Sequence, residues 1–477
     1  MTSPLTLPAT DKSAEPSDPR RAESRILIPP ADISNHHTWH YHQAHAALRN
    51  ADADLALHHF KECRRIIPRE WFVPFSMGQI HLTVGADIHE AIRMFKYARR
   101  MRERIYTPKR GKPPYHFLDV FWGLQIGHTA NMEHLIKREI LLKRDPKKLI
   151  LLCPETPANQ VLLDKMAAYI TVAKSEAELP LPRETLLSVL EEYYICESID
   201  GLTKHWWHAS PEIFRAWEKA GRQPLLTLTH EERAKGRAAL RSAGIPDDAW
   251  FASLHIRESG FKSTQGLTKV ELGLNADVAT YLPAVSAVVQ RGGTVIRIGD
   301  TSMSPLPPMP GVFDYAHSTL KSDWMDIFLL GACHFYIGTS SGPAYVPPLF
   351  GVPCALTNWY PIGSRPFNDR DVYIPKLFQV GTPPRTLRFE DMVAPPIGYA
   401  LQYQYAEETK LSVVPNTADE IREVVIELID RLDGKLSYSD ADQALQETFD
   451  AVAETNFCYG NARLGRDFLR RHKDLLI

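Results

Sequence analysis

The chain has no run of ~18 uninterrupted apolar residues, no Cys-x-x-Cys pair and almost no excess of charge. Each lack excludes something. Its N-terminus is rich in Pro, Ser and charge rather than basic and then apolar, so neither a membrane span nor a secretory signal is evident. The six cysteines, Cys63, Cys153, Cys196, Cys333, Cys354 and Cys458, are scattered, mostly inside apolar runs. They read as reduced core thiols of a cytoplasmic protein. A net charge of −2 and a pI near 6.8 argue against bare nucleic acid as the main partner. Any membrane role, at the inner membrane, is expected to be peripheral.

What is present suits packed domains: 477 residues with 44% hydrophobic content allow about three domains. Residues 1–34 carry Pro, Ser and charge without a hydrophobic period and read as a disordered leader. In residues 35–112 the pattern turns helical. Ala56-x-x-x-Phe60 recurs as Ala91-x-x-x-Phe95, close to the ~34-residue tetratricopeptide period, and Pro68 and Pro108 mark helix ends. Two such units fall short of the ~3 that a free-standing solenoid needs, so this region is expected to lean on the next domain or on a protein partner. Residues 113–246 and 247–440 each alternate short buried strands with helical periods, predicting two Rossmann-like domains facing a cleft. Residues 441–477 are expected to form helices that pack back across them.

The richest stretch is Cys333-His-Phe-Tyr-Ile-Gly-Thr-Ser-Ser-Gly-Pro-Ala344. A buried strand there delivers Thr339, Ser340, Ser341 and Gly342 to the first turn of an expected helix, where free amides and the helix dipole favour phosphate. Ser and Gly also serve simply as caps. Two further strand ends carry polar groups: His255-Ile-Arg257, and Arg297-Ile-Gly299-Asp300. In an open parallel sheet such ends converge at one edge. Arg257 and Arg297 could clamp a diphosphate while Asp300 holds a sugar hydroxyl; alternatively Arg257 pairs with Glu258 or Asp300 in a structural network. Asp314 and His317 share a loop that could touch the sugar, and Lys321, before a helix capped by Ser322 or Asp323, could reach a phosphate. In the first α/β half, His128 follows Gly-x-x-x-Gly at a strand-to-helix turn. General base, ligand hydrogen bond and structural cap all remain open for it.

Other signals are weaker. Asp52-Ala-Asp54 and Asp440-Ala-Asp442 match a metal-binding Asp-x-Asp but lie in helical or linker surroundings. His36, His37, His40, His42 and His45 crowd one stretch without a carboxylate or thiolate to complete a ligand set. Trp206-Trp207 suits core or interface, and Ala462–Leu476 reads as a basic amphipathic helix that docks on the domains.

The combination Gly292–Asp300, Asp314–His317, Lys321–Asp323, Ile337–Gly342 and Phe350-Gly-Val-Pro353 resembles a family of bacterial glycosyltransferases of GT-B type, over about residues 115–477. Through His255-x-Arg257 and Ser340-Ser341 the chain is also distantly similar to GDP-fucose-dependent α1,6-fucosyltransferases, although Glu258 stands where their motif has a second arginine. The resemblance implies a nucleotide-diphosphate sugar held on the second domain through His255, Arg257, Ser340 and Ser341, to which the strand-end and loop pattern adds Arg297, Gly299, Asp300, Asp314, His317, Lys321, Thr339 and Gly342. It also implies a glycan, lipid-linked or protein acceptor on the first domain and no required metal. Catalysis would then fall to His128, Arg257 and Lys321. The competing expectations are a non-catalytic interaction protein with a degenerate nucleotide pocket and a different group transferase on the same fold.

Overall fold

The computed structural model describes residues 37–49, 52–83, 87–258, 274–395, 397–399, 411–456 and 458–476. The expected leader, 1–34, and His36 lie outside them. Four helices come first: α1 (His37–Arg49), α2 (Ala53–Ile66), α3 (Phe72–Thr83) and α4 (Ile88–Tyr106). Asp52 and Asp87 accept the amides of Leu55 and Glu90 and so start α2 and α4. Both helices end two residues short of Pro68 and Pro108. α1 packs on α2 and α3 on α4 around a small core that includes Ala44, Phe60 and Met77.

The short apolar runs that follow build two parallel sheets. In the first, β1 (His116–Leu118), β2 (Leu149–Leu152) and β3 (Thr171–Ala173) lie in that order, joined by α5 (Ile126–Leu141) and α6 (Gln160–Met166). A parallel bridge from Leu190 to Phe117 extends the sheet beyond β1. The chain therefore lays its strands outward from β1 in one direction and then returns to its other side. A hairpin of β4 (Ile195–Glu197) and β5 (Thr203–His205) follows.

The second sheet has seven strands: β6 (Phe251–His255), β7 (Thr294–Arg297), β8 (Val312–Asp314), β9 (Phe335–Gly338), β10 (Cys354–Trp359), β11 (Val372–Pro375) and β15 (Arg463–Leu464). Their order is β8-β7-β6-β9-β10-β11-β15, every pairing parallel. This doubly wound order reverses between β6 and β9, the place where such sheets open a crevice at their carboxyl ends. A small antiparallel sheet, β12 (Leu377–Val380), β13 (Arg385–Thr386) and β14 (Leu411–Val414), follows β11. One hydrophobic cluster runs from Leu82 to Leu469 and includes residues of both parallel sheets.

Three local expectations change. After β9 there is no α-helix: Gly342–Tyr345 and Pro347–Phe350 are two single 3₁₀ turns, because Pro343, Pro347 and Pro348 remove the amides a longer helix needs. The run Phe117–Trp122 divides into β1 and a 3₁₀ turn, Val120–Gly123, started by the Asp119 side chain. The expected C-terminal amphipathic helix breaks into β15, a short helix Arg466–Arg471 and a 3₁₀ turn Lys473–Leu476. Its arginines pair with the body of the protein, Arg470 with Asp442 at 2.6 Å and Arg471 with Glu423 at 2.8 Å.

Candidate functional site

The carboxyl ends of β6 and β9 sit side by side, with His255 paired to Gly338. Beyond that pair the two chains are stitched together. Thr339 N–H donates to the His255 carbonyl at 3.3 Å, and Arg257 N–H donates to Thr339 Oγ1 at 3.1 Å. Ser341 Oγ lies 3.1 Å from His255 Nδ1, and Ser340 Oγ accepts the Tyr360 amide at 3.1 Å. Gly338 is glycine for a steric reason: a Cβ there would fall 2.4 Å from the Tyr336 hydroxyl. Burial, followed by the Arg297 and Arg257 charges, pushes His255 down to about 4 from its ordinary 6.5, so its ring is neutral near pH 7. Arg257, two residues beyond this pair, is half-buried.

β7 brings the second arginine, and its environment is different. Arg297 is fully buried and bonds Glu258 and the Ser304 carbonyl, with Asp314 3.8 Å away. Glu258 also accepts the Ser304 amide at 2.9 Å. Glu258 is thus the counter-ion of Arg297. Gly299 has φ 150° and lies against Met303, whose sulfur would be 2.1 Å from a Cβ. Asp300 accepts the Ser302 amide at 2.8 Å. Asp314 accepts the Leu306 amide at 2.9 Å and lies 3.1 Å from His317 Nδ1, while His317 Nε2 lies 3.1 Å from the Met303 carbonyl. Together these groups tie down the 299–306 loop. Lys321 pairs with Asp326, which also accepts the Tyr315 hydroxyl at 2.8 Å. Ser322 caps the helix Asp323–Ala332, and Asp323 receives the Gln160 amide of α6 at 3.3 Å.

The first half meets this junction through α5. A Cβ on Gly127 would lie 2.8 Å from the Gly342 Cα, so the two glycines let backbone touch backbone. α5 is a 16-residue helix whose N-cap, Gln125, gives no side-chain hydrogen bond. Its positive end therefore faces the Ser341-Gly342 turn, the role expected of a helix after β9. His128 occupies the first turn of α5, its ring centroid 4.4 Å from Phe121 and 4.5 Å from Tyr193. Nδ1 lies 3.2 Å from the Phe121 carbonyl, which fixes the proton on Nδ1 and leaves the lone pair on Nε2. Burial lowers this imidazole to about 4.

Two further buried ionisable residues lie outside the expected set. Lys376 is buried at 2% exposure, its amine lowered to about 8 by burial, with Nζ donating to the Asn275 carbonyl at 2.6 Å. Its amide bonds the Trp359 carbonyl, one residue before the Tyr360 amide that reaches Ser340. In the sequence it is one lysine after a Pro, with no pattern to set it apart. Asp119, directly after β1, accepts the Phe121 amide at 3.2 Å, and burial raises its carboxyl above the usual range. A carboxyl at a strand end was the available signal. Among the described residues no group of three His, Cys, Asp or Glu side chains is arranged to hold a metal ion, and no helix is long and apolar enough to cross a membrane.

No family model matches the chain, and no curated protein matches it. Solved structures aligned with it include the glycosyl transferase family 9 protein from Veillonella parvula DSM 2008, at 11% identity and TM-score 0.30 over 51% of this chain and 80% of that one. Two others are structures of a dodecameric iron-containing bacterial enzyme, TibC. The heptosyltransferase TibC in complex with ADP-D-beta-D-heptose aligns at 11% identity and TM-score 0.29 over 52% of this chain. TibC from enterotoxigenic E. coli H10407 aligns at 11% and 0.31 over 51%. The chain spans 58% of the length of either TibC structure. Superposition at this level does not define a shared architecture.

Proposed function

We propose that the protein is a glycosyltransferase of two-domain GT-B layout that moves a sugar from a nucleoside-diphosphate donor to a hydroxyl of a surface glycan, lipid-linked or protein acceptor in the cytoplasm. The observation that carries the reading is the placement of His255, Arg257 and Thr339–Gly342 at the β6/β9 switch point, facing the N-terminus of α5. That edge is where an open parallel sheet receives a ligand. Arg257, Lys376, the amides of the 339–342 turn and the positive end of α5 would stabilise the diphosphate as charge develops on it, a task that does not require a metal. Arg297, Gly299, Asp300, Asp314 and His317 would shape the loop beside the sugar rather than grip the phosphates. Lys321 would join the site on leaving Asp326. The acceptor oxygen bonds the anomeric carbon while the bond from that carbon to the diphosphate breaks; the acceptor proton passes to His128 Nε2.

A second reading, a non-catalytic interaction protein using residues 35–112, is favoured by the internal pairing of Arg297 and Lys321. Incubation with a panel of nucleotide sugars in EDTA separates the two. Release of nucleoside diphosphate from at least one donor supports the transferase, and absence of binding and release with every donor supports the interaction protein.

A further inference from the structure

Positive charge gathers at the other end of the first sheet. β1 and β2 begin side by side at His116 and Leu149, and at that amino edge lies a cavity of about 510 Å³, within the ~300–1,000 Å³ usual for small-molecule sites. α4, the 112–116 stretch and the loop from α5 to β2 line it. A second cavity, of about 410 Å³, adjoins it through Arg99, Lys112 and Glu197 and reaches the turn between β4 and β5. The carboxyl end of β1, roughly 10 Å along the strand, is the one that leads to α5 and the crevice.

Seven Lys and Arg side chains but only four carboxylates line the two cavities, on a chain whose net charge is −2. The carboxylates are already engaged. Glu139 is 1% exposed and pairs with Arg138 at 2.7 Å; Glu103 holds Lys112 at 2.9 Å, Glu197 holds Arg144 at 3.1 Å, and Asp145 accepts the Lys147 amide at 2.9 Å. Lys143 and Lys148 in the first cavity, and Lys96 and Arg100 in the second, have no ion pair among the described residues. Like charges around one cleft repel each other and focus a positive field into it, which a bound anion relieves. Lys143 also stands at a position suited to glycine. Its φ is 57°, and it closes α5 by donating its amide to the Ile140 carbonyl at 3.1 Å, while the Arg144 amide donates to the Glu139 carbonyl at 2.8 Å. A lysine there costs backbone energy and brings an amine to the cavity.

We propose that this groove binds a phosphate-bearing small molecule, its phosphate held by Lys143, Arg144 and Lys148, at a site separate from the crevice. Ammonium and guanidinium groups are the side chains that hold phosphate oxygens, and the cavity has room for more than the phosphate. The inference does not rest on the transferase reading.

The test is calorimetric titration of the full chain with inorganic pyrophosphate at low salt. The wild type should bind it, Lys143→Gly/Lys148→Gln should bind it about tenfold or more weakly, and the crevice variant Arg257→Ala should keep the site. Because Lys143→Gly relieves the left-handed backbone, the double variant should melt no lower than wild type; if it melts lower, Lys96→Gln/Arg100→Gln carries the same expectation. Lys61→Gln/Lys473→Gln, which removes two charges outside the groove, should leave the affinity unchanged. Absence of pyrophosphate binding, equal affinity in the groove variants, an equal loss in the Lys61/Lys473 pair, or loss of all binding in Arg257→Ala overturns the proposal. So does Lys143- and Lys148-dependent sedimentation with phosphatidylcholine–phosphatidylserine vesicles without pyrophosphate binding, which would make the groove a membrane contact. Binding that persists in Arg257→Ala and fails in the groove variants supports the site whatever the fate of the transferase reading.

Discussion

At the residue scale, the proposed chemistry depends on neutral imidazoles. His128 and His255 titrate near 4 because burial disfavours their charged forms, whereas an unfolded chain titrates them near 6.5. Between those values the unfolded state binds more protons, so stability falls as pH drops from about 6.5 toward 4 and is unaffected by these groups above about 7.5. Thermal unfolding followed from pH 8 to 4 should show a level plateau and then a decline; a melting temperature unchanged at pH 4.5 would contradict buried neutral rings. His128→Ala should lower sugar transfer by roughly 10²–10⁴-fold while leaving nucleotide affinity intact, measured by turnover and calorimetry. Equal loss of both would make His128 a structural cap. The sequence displayed the strand-end residues His255, Arg257 and Thr339–Gly342 because a polar group after a buried strand is a local pattern. It did not display the Arg297–Glu258 pair, since those residues lie 39 positions apart and only the adjacent β6 and β7 bring them together.

At the scale of elements, the critical contact is α5 against the 339–342 turn. Gly127→Ala places a methyl carbon 2.8 Å from the Gly342 Cα, where backbone must move. The substitution should cost about 1–3 kcal/mol, read from the denaturant midpoint, and should reduce transfer more than nucleotide binding. A midpoint equal to wild type would show that the two halves do not close on each other. Gly236→Ala is a useful comparison, because its Cβ would meet Phe328 at 2.2 Å and disturb the packing of helix His230–Ser242 on helix Asp323–Ala332, away from the crevice. It should lower stability while activity per folded molecule persists. Strands and most helices were legible from apolar runs and periods, together with the cap Ser322. The missing helix after β9 was not: Pro343 suits a first helical turn, and only with Pro347 and Pro348 do successive turns become 3₁₀.

For the whole molecule, the alternation of strand and helix announced a mixed α/β protein, and the seven-stranded parallel sheet gives that reading its form. The order of the strands was not readable, because pairing between β6 and β9 joins segments about eighty residues apart and depends on tertiary packing. Yet that order places the candidate site, since it sets His255 beside Gly338 at the reversal. The central claim is that a nucleoside diphosphate binds there. Its most direct test is thermal shift of the wild type and Arg257→Ala with UDP, GDP, CDP, ADP and dTDP in EDTA. At about 100 times its Kd, one diphosphate should stabilise the wild type by about 2.7 kcal/mol. In Arg257→Ala, whose own melting should stay near wild type, most of that shift should vanish. Stabilisation by none of the five, or a full shift retained in Arg257→Ala, would contradict the account.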